Sequence, residues 1–378
     1  MSRRRWLALL LAAGAAGAVA VLAAPARAAS TAAQIWAPFV LVTGLLLIGA
    51  AADADGLFAA AGGRLARLPG RPIPLFLAAL VLVAGVTAVL NLDTAVVFVT
   101  PVLLAAAASR GVDEAPFLYG SVAMCNSASL ILPGSNLTNL LVLGHGRVSG
   151  ATYALRMAPA SAAAVLVTGA VLVMFFRRSL RSHALVPDVD GPRIVVGPGV
   201  VATVGAATLV LFTSGPALPV LVLGIAAVLV SRHLGRLGQR RLRAALNVRP
   251  LLLLFLVALA LGTLARSWSG PTRLLAGKAP WESAALAAIS SVLVNNLPAA
   301  ALFSAHASAD ARALLVGLDV GPNLAVTGAL SALLWLRIAR TAGQRPSVRT
   351  YSLVGLAVAP LAMAAAIVAL RLFSLGRL

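Results

Sequence analysis

Charged side chains are scarce in this sequence. They make up 11% of the 378 residues, whereas hydrophobic residues make up 61%. Soluble domains are about 25% charged and about 45–50% apolar, so too few polar side chains are present to cover a water-facing surface. Disordered chains are poor in apolar residues, and the same composition therefore excludes disorder. It predicts an all-α polytopic membrane protein, because helices satisfy their own backbone hydrogen bonds in lipid.

Cysteine and histidine are also scarce: the chain has one cysteine, Cys125, and four histidines. A single thiol cannot build a disulfide framework or a thiolate metal cluster. The histidines fall in loops or at helix ends, with no second histidine at metal-ligand spacing. The sequence also lacks the HExxH motif of membrane metalloproteases. We expect no metal, no cofactor and no enzymatic activity; a membrane enzyme or structural subunit is the minor alternative.

Acidic residues are the rarest charged group. Ten Asp and Glu stand against 30 Lys and Arg, which gives a formal charge of +20. In a soluble chain this excess would predict nucleic-acid binding. Here the basic residues fall between long apolar runs, as in cytoplasmic loops under the positive-inside rule. The pattern predicts a multi-pass protein of the cell membrane with its most basic loops in the cytoplasm and no nucleic-acid partner.

The first 30 residues fit two interpretations. Three arginines precede an apolar run over 6–24, and small residues follow at Ala26 and Ala28. A cleaved signal peptide has this pattern. A first transmembrane helix fits as well, because about 20 apolar residues span a membrane.

Two apolar segments carry polar interruptions that predict re-entrant hairpins. Segment 73–108 is interrupted at Asn91-Leu92-Asp93, and segment 283–307 at Asn295-Asn296. When both are hairpins, most of the basic residues lie on one side of the membrane. Full crossings at either place that shift the sidedness of the following loops would leave a basic loop on the outside.

Each predicted hairpin is followed by a crossing that is itself broken. Segment 117–143 is broken at 133–136 and segment 313–336 at 319–323. We expect one repeat over 31–182, connecting spans and a basic loop over 183–249, and a second repeat of inverted topology over 250–378. Inverted repeats with paired breaks are the layout of secondary transporters, which bind substrate where the breaks meet.

The four interruptions supply the candidate site. A buried amide without a partner costs several kcal/mol in hydrocarbon, so polar clusters at membrane depth persist where they face a cavity or each other. We expect Asp93 and Asp319 to carry the proton or cation, although each acid could also cap a helix. Amides can instead bond neighbouring helices, and hydroxyls can bond their own helix. The candidate solute- or ion-binding residues are Asn91, Asp93, Thr94, Asn126, Ser127, Ser129, Asn136, Asn139, Asn295, Asn296, Asp319, Asn323 and Thr327.

The interruptions resemble those of the ion transporter superfamily, which includes the arsenite efflux permeases and, more distantly, sodium-coupled dicarboxylate transporters. The similar stretches are NLDTAVVFVTP, SASLILPGSNLTN, SSVLVNNLPAAAL and LDVGPNLAVTGALSALLWLRI. The last two look most like the arsenite permeases. In this resemblance Asp93 is the acid of the first hairpin tip, Asn295 and Asn296 form the second tip, and Asp319 lies in the second break. The sequence departs from the family at Asn126, where arsenite permeases commonly carry an acid.

The resemblance implies a secondary transporter that exports arsenite or antimonite against inward proton movement. It also implies an elevator-like movement of a hairpin-bearing domain, often in a homodimer. The alternative is a sodium- or proton-coupled transporter of a small anion such as a dicarboxylate. The expected partners are thus a small inorganic solute or anion, a proton or sodium ion, and the lipid bilayer.

Overall fold

The computed structural model describes residues 3–68, 71–144, 148–181, 196–213, 215–245, 248–268, 270–304 and 310–373. The regular elements of these residues are all helical. Their bounds are α1 Arg3–Ala23, α2 Pro25–Ala54, α3 Leu57–Ala66, α4 Pro72–Val89, α5 Leu92–Ser109, α6 Ala115–Ala128, α7 Leu137–Leu143, α8 Gly150–Phe175, α9 Pro198–Phe212, α10 Ala217–His233, α11 Gln239–Ala245, α12 Val248–Ser267, α13 Gly270–Leu275, α14 Pro280–Val294, α15 Asn296–Phe303, α16 Ala311–Val320, α17 Leu330–Thr341 and α18 Val348–Leu372.

The same order of elements occurs twice along the chain. A long helix and a short helix (α2 and α3) precede a hairpin (α4 and α5), a broken helix (α6 and α7) and a long helix (α8). Helices α12 to α18 repeat this order, and α9, α10 and α11 connect the two sets. The predicted fold class is confirmed: an all-α protein whose halves each hold a hairpin and a broken helix.

Local chemistry explains where the site helices begin and end. Pro72 and Pro280 stand at the first position of α4 and α14, where the missing N–H costs no helix bond. At the hairpin tips, the Asn91 side chain accepts from the Thr94 N–H and the Asn295 side chain from the Leu297 N–H, so each asparagine caps the second arm. Pro133 follows the end of α6 and is part of a short 3₁₀ turn.

The two halves pack crosswise. The first arm of each hairpin contacts the first piece of its own broken helix, α4 with α6 and α14 with α16. The second piece contacts the second arm of the other hairpin, α7 with α15 and α17 with α5. Each half therefore supplies part of the surroundings of the other half's break.

Long helices surround this centre. Helix α8 packs against α18, and α2 packs against α10 and α12. Helices α2 and α10 approach backbone to backbone, so that a Cβ on Gly44 or Gly224 would lie under 3.0 Å from the other helix. Helix α1 packs against α12. Short helices α3, α11 and α13 lie outside the predicted spans.

Six helices among the described residues are long and apolar enough to cross a membrane. This agrees with the predicted multi-pass class. They are Pro25–Ala54, Pro72–Val89, Leu92–Ser109, Gly150–Phe175, Arg249–Ser267 and Val348–Leu372.

One acid outside the predicted site is buried between these helices. Asp55 follows α2, and its Oδ2 accepts from the Gly199 and Val200 N–H groups at 2.7 and 3.2 Å. Its Oδ1 lies 3.2 Å from the Arg236 guanidinium. A carboxylate is favourable at a helix N-terminus, so Asp55 stabilises the start of α9.

Candidate functional site

Asp319 joins the two halves at the centre of the protein. It lies in the last turn of α16 and is fully buried. Its Oδ1 accepts from Asn136 Nδ2 at 2.9 Å and from Thr138 Oγ1 at 2.5 Å. Asn136 caps α7, because its Oδ1 accepts from the Thr138 N–H. The cap of one broken helix thus also holds the acid of the other.

Asn126 has a corresponding place in the first half. It lies near the end of α6, donates from Nδ2 to Asn323 Oδ1 at 2.9 Å and accepts at Oδ1 from Ser331 Oγ at 3.2 Å. Ser331 is the second residue of α17, as Thr138 is the second residue of α7. Each half therefore contributes one polar side chain, Asn126 or Asp319, near the end of the first piece of its broken helix. A hydroxyl from the other half donates to that side chain.

Three further predicted residues hold the first break together. Asn139 donates from Nδ2 to the carbonyls of Ser129 and Leu132 at 2.8 and 3.0 Å. The Ser129 hydroxyl accepts from Asn136 Nδ2 at 3.2 Å. Ser127 accepts from Thr168 on α8 at 2.8 Å. These contacts fix the non-helical backbone between α6 and α7. They are needed there because buried peptide groups outside a helix must find other hydrogen-bond partners.

The tip of the first hairpin is a second buried polar region. The Asn91 side chain accepts from the Thr94 N–H at 2.6 Å. Asp93 is 5% exposed, and its carboxyl group has no hydrogen bond to a described residue. A Cβ on Gly49 would meet the Thr94 methyl group, so α2 passes directly beside this tip.

The second hairpin tip lies at a more exposed edge. Asn295 Nδ2 donates to the Thr327 carbonyl at 3.1 Å, and Thr327 Oγ1 donates to the Val292 carbonyl at 2.9 Å. Asn295 is half-buried and Thr327 exposed, whereas Asn296 is buried. Asn295 has φ 78° and ψ 148°, a conformation that strains a residue with a Cβ. The structure therefore does not bring Asn295 and Thr327 into the buried cluster around Asp319.

Sequence reasoning missed several residues of the cluster. Thr138 lies inside the quoted motif SASLILPGSNLTN, so the signal was there, and Ser331 lies in the motif of the second break. Tyr351 on α18 donates to the Pro322 carbonyl at 3.0 Å. Tyr153 lies in the first turn of the mostly apolar helix α8, and no pattern in the sequence marks it as a candidate site residue.

Two groups of buried polar atoms lack a hydrogen-bond partner among the described residues. The first group lies at the first hairpin tip and consists of Thr87 Oγ1, Asn91 Nδ2 and Thr94 Oγ1. The second lies around the first break and consists of Asn139 Oδ1, Tyr153 Oη and Asp319 Oδ2. Buried polar atoms are nearly always paired in folded proteins, so such groups point to ligands or protons.

No fixed cation offsets the two buried acids within the four interruptions, which contain no Lys or Arg. Arg110 is buried at the end of α5, but its guanidinium donates to the carbonyls of Ala66 and Leu68. The region around the breaks is therefore rich in neutral amides and hydroxyls, with a carboxyl group in each polar region. It can hold a neutral polar solute together with a proton or cation.

Comparison with known proteins gives the family. A family model described as "Citrate transporter" matches residues 2–327. Two curated relatives are arsenical pump membrane proteins. The one from Yersinia enterocolitica is 26% identical over 337 residues, which cover 80% of this chain and 79% of the relative. The one from Escherichia coli (strain K12) is 25% identical over 343 residues, with the same coverage.

A solved transporter has the same fold. The Alcanivorax borkumensis YdaH transporter aligns with a TM-score of 0.56 over 98% of this chain and 96% of its own, at 14% identity. These findings agree with the resemblance to the ion transporter superfamily. Since the family model spans most of the sequence, the chain belongs to the citrate transporter family of membrane proteins.

Proposed function

We propose that this protein is a secondary active transporter that exports arsenite and antimonite as neutral trihydroxides in exchange for protons. The names of the arsenical pump relatives support this substrate. The single observation that carries the proposal is the composition of the buried site. Amides and hydroxyls at both breaks and at the first hairpin tip suit a solute that offers three hydroxyl groups, each a donor and an acceptor.

The buried acids support proton coupling. Asp93 and Asp319 have no cationic partner among the described residues. A charged carboxylate is costly in a low-dielectric interior, so each acid favours its neutral, protonated form. A proton that enters from the outside and leaves to the cytoplasm can therefore drive the solute outward.

A sodium- or proton-coupled carrier of a small anion is the second candidate, and the family description "Citrate transporter" favours it. A di- or tricarboxylate needs cations or several directed N–H groups to replace its water. The interruptions contain neither Lys nor Arg, and Arg110 is engaged by carbonyl groups. Either acid would also repel such an anion when it is ionised, and for these reasons we place it second.

The packing supports an elevator-type movement in which the hairpins and the broken helices travel together. Crosswise contacts join α5 to α17 and α7 to α15, so neither half moves without the other. Gln34 on α2 donates to the Leu141 carbonyl at 3.1 Å and to Ser304 Oγ at 3.4 Å. These contacts would break when the moving part slides past α2. We further propose a homodimer in the cell membrane, with the most basic loops in the cytoplasm.

Growth and vesicle transport test this function together. Arsenite-sensitive bacteria that express the chain should gain resistance to arsenite and antimonite, and inside-out vesicles should take up arsenite when their lumen is acidic. Asp319→Asn is the matched variant that should remove proton-driven uptake. No gain of resistance, together with sodium-dependent uptake of labelled citrate or succinate, would favour the second candidate instead.

A further inference from the structure

Four arginines cluster where α10 ends and the short helix α11 begins. They are Arg232, Arg240, Arg241 and Arg243. All four are exposed, and none makes an ion pair with a described residue. The sequence has no acidic residue between positions 190 and 282. An exposed cluster of one sign attracts ligands of the opposite sign.

The chain folds this basic segment back onto the ends of α2 and α10. Gly235 has φ 70° and follows the end of α10, and the Arg236 N–H donates to the Ser231 carbonyl at 2.9 Å. A glycine in this conformation reverses the chain after a helix. Arg236 then lies 3.2 Å from the buried carboxylate of Asp55, which follows α2. The start of the segment is therefore held by an ion pair.

Two leucines hold the rest of the segment. Leu237 is 4% exposed and packs with Leu47 of α2 and Val228 of α10. Leu242, partly buried on α11, packs against the same cluster. Because the apolar side chains of the segment face the protein, the arginines beside them are held at its surface.

An exposed apolar stripe on α10 leads to these arginines. Its members recur at helical spacing and are 44–64% exposed; they are Leu218, Val222, Ile225 and Leu229. Arg232 comes three positions after the last of them and continues the same face. At 1.5 Å per residue the stripe is about 16 Å long, close to one leaflet of a hydrocarbon core about 30 Å thick. One face of α10 therefore offers apolar surface along a leaflet, with a guanidinium group at its end.

We propose that this surface binds an anionic phospholipid, with the headgroup phosphate at Arg232, Arg240 and Arg243 and an acyl chain along the stripe of α10. Guanidinium groups bind phosphate through charge-assisted hydrogen bonds. A free phosphate ion would leave the stripe uncovered, and a zwitterionic lipid would bring its own cation to the arginines. An anionic lipid satisfies both parts of the surface. The bound lipid would hold the connecting helices α9 to α11 against α2, whichever solute is transported.

Native mass spectrometry of the purified protein with phosphatidylglycerol measures this binding. The charge variant Arg232→Gln/Arg240→Gln/Arg243→Gln should bind the lipid more weakly, by about fivefold for each arginine removed. Arg236 is kept because it pairs with Asp55. Without lipid the charge variant should melt at the wild-type temperature, because the three side chains are exposed and make no ion pair with a described residue.

A matched control removes the same charge elsewhere. Arg337→Gln/Arg340→Gln/Arg345→Gln changes three exposed arginines at and after the end of α17. Within Leu330–Thr341, Leu333 is the only large apolar side chain that is strongly exposed, so no stripe leads to these arginines. The control should bind phosphatidylglycerol as the wild type does.

A second variant tests the acyl-chain part of the surface. Val222→Asn/Leu229→Asn makes the stripe polar and leaves the charge unchanged. It should also weaken phosphatidylglycerol binding, because less apolar surface remains for the chain to cover. Binding at wild-type strength in this variant would show that no acyl chain lies on α10 and would overturn the proposal.

Three probes separate the possible ligands in thermal unfolding. Phosphatidylglycerol should raise the melting temperature of the wild type but not of the charge variant, whereas phosphatidylcholine and inorganic phosphate should change neither. Equal protection by phosphate would indicate a free-anion site, and equal protection by phosphatidylcholine a surface without headgroup preference. Either result would overturn the proposal, as would an equal loss of binding in the charge variant and its control. A charge variant that keeps the lipid but changes from dimer to monomer would instead make this surface an interface between two copies.

Discussion

Exchange of Asp319 for two different residues separates its role in proton coupling from its role in the fold. An asparagine keeps an acceptor oxygen for Asn136 and Thr138 and replaces Oδ2 with an amide N–H₂. It therefore imitates the protonated carboxyl group. A leucine removes the acceptor and leaves two buried donors without partners.

The expected changes in the free energy of unfolding follow from these contacts. Each buried donor left unpaired costs about 1–3 kcal/mol, so Asp319→Leu should lower the free energy of unfolding by about 2–6 kcal/mol. Asp319→Asn should stay within about 1 kcal/mol of the wild type, because both hydrogen bonds persist. Thermal unfolding in detergent measures both variants side by side.

Transport by reconstituted protein completes this test. Asp319→Asn should still exchange labelled arsenite for unlabelled arsenite across the membrane, since the asparagine keeps the acceptor for Asn136 and Thr138, but a pH gradient should no longer drive net uptake. Wild-type coupling in Asp319→Asn would refute the assignment of the proton to this residue. Equal stability of the leucine and asparagine variants would refute the hydrogen-bond reasoning.

Three further substitutions test the contacts at the breaks and the backbone of the second hairpin tip. Asn126→Ala leaves Asn323 Oδ1 without its donor and should cost about 1–3 kcal/mol in thermal unfolding; an unchanged melting temperature would contradict the contact. Gly355→Ala places a Cβ against the Asn323 carbonyl and should destabilise by about 1–3 kcal/mol, whereas the same change at Gly85, which has open space around it, should not destabilise through a clash. Asn295→Gly should be more stable than Asn295→Ala by about 1–2 kcal/mol, because glycine tolerates φ 78°; equal denaturation midpoints would argue against strain at this tip.

The elements around the site were largely predictable, because polar interruptions of apolar runs are visible in a sequence. The expected hairpin 73–108 corresponds to Pro72–Val89 and Leu92–Ser109, and the expected broken crossing 117–143 to Ala115–Ala128 and Leu137–Leu143. The second hairpin agrees over Pro280–Val294 and Asn296–Phe303, and its predicted last residues partly lie outside the described ranges. Proline, glycine and asparagine end helices for local reasons, so their effect needs no tertiary information.

Contacts between the two halves could not be predicted from local pattern. The hydrogen bond from Thr138 to Asp319 joins residues 181 positions apart in the chain. Tyr153 lies in an apolar helix and contributes to the site through its burial, which no spacing reveals. Thr327 fits the polar pattern of its break but is exposed, because its hydroxyl bonds the Val292 carbonyl instead of facing the cluster.

The positive-inside rule predicts the sidedness of the loops from the arginines, and a labelling experiment tests this prediction. The end of α10, the loop after it and helix α11 carry Arg232, Arg236, Arg240, Arg241 and Arg243, with Arg236 paired to Asp55. We therefore expect this basic segment to face the cytoplasm. A cysteine introduced at Arg240 in a Cys125→Ala background should react with a membrane-impermeant thiol reagent in inside-out vesicles and not in intact cells.

Net flux in proteoliposomes tests the central claim most directly. The purified wild type is reconstituted, and uptake of arsenite and of citrate is measured under a pH gradient alone and under a sodium gradient alone. We predict arsenite uptake driven by the pH gradient, with proton movement in the opposite direction and no response to sodium. Citrate uptake driven by either gradient, without arsenite uptake, would contradict the account.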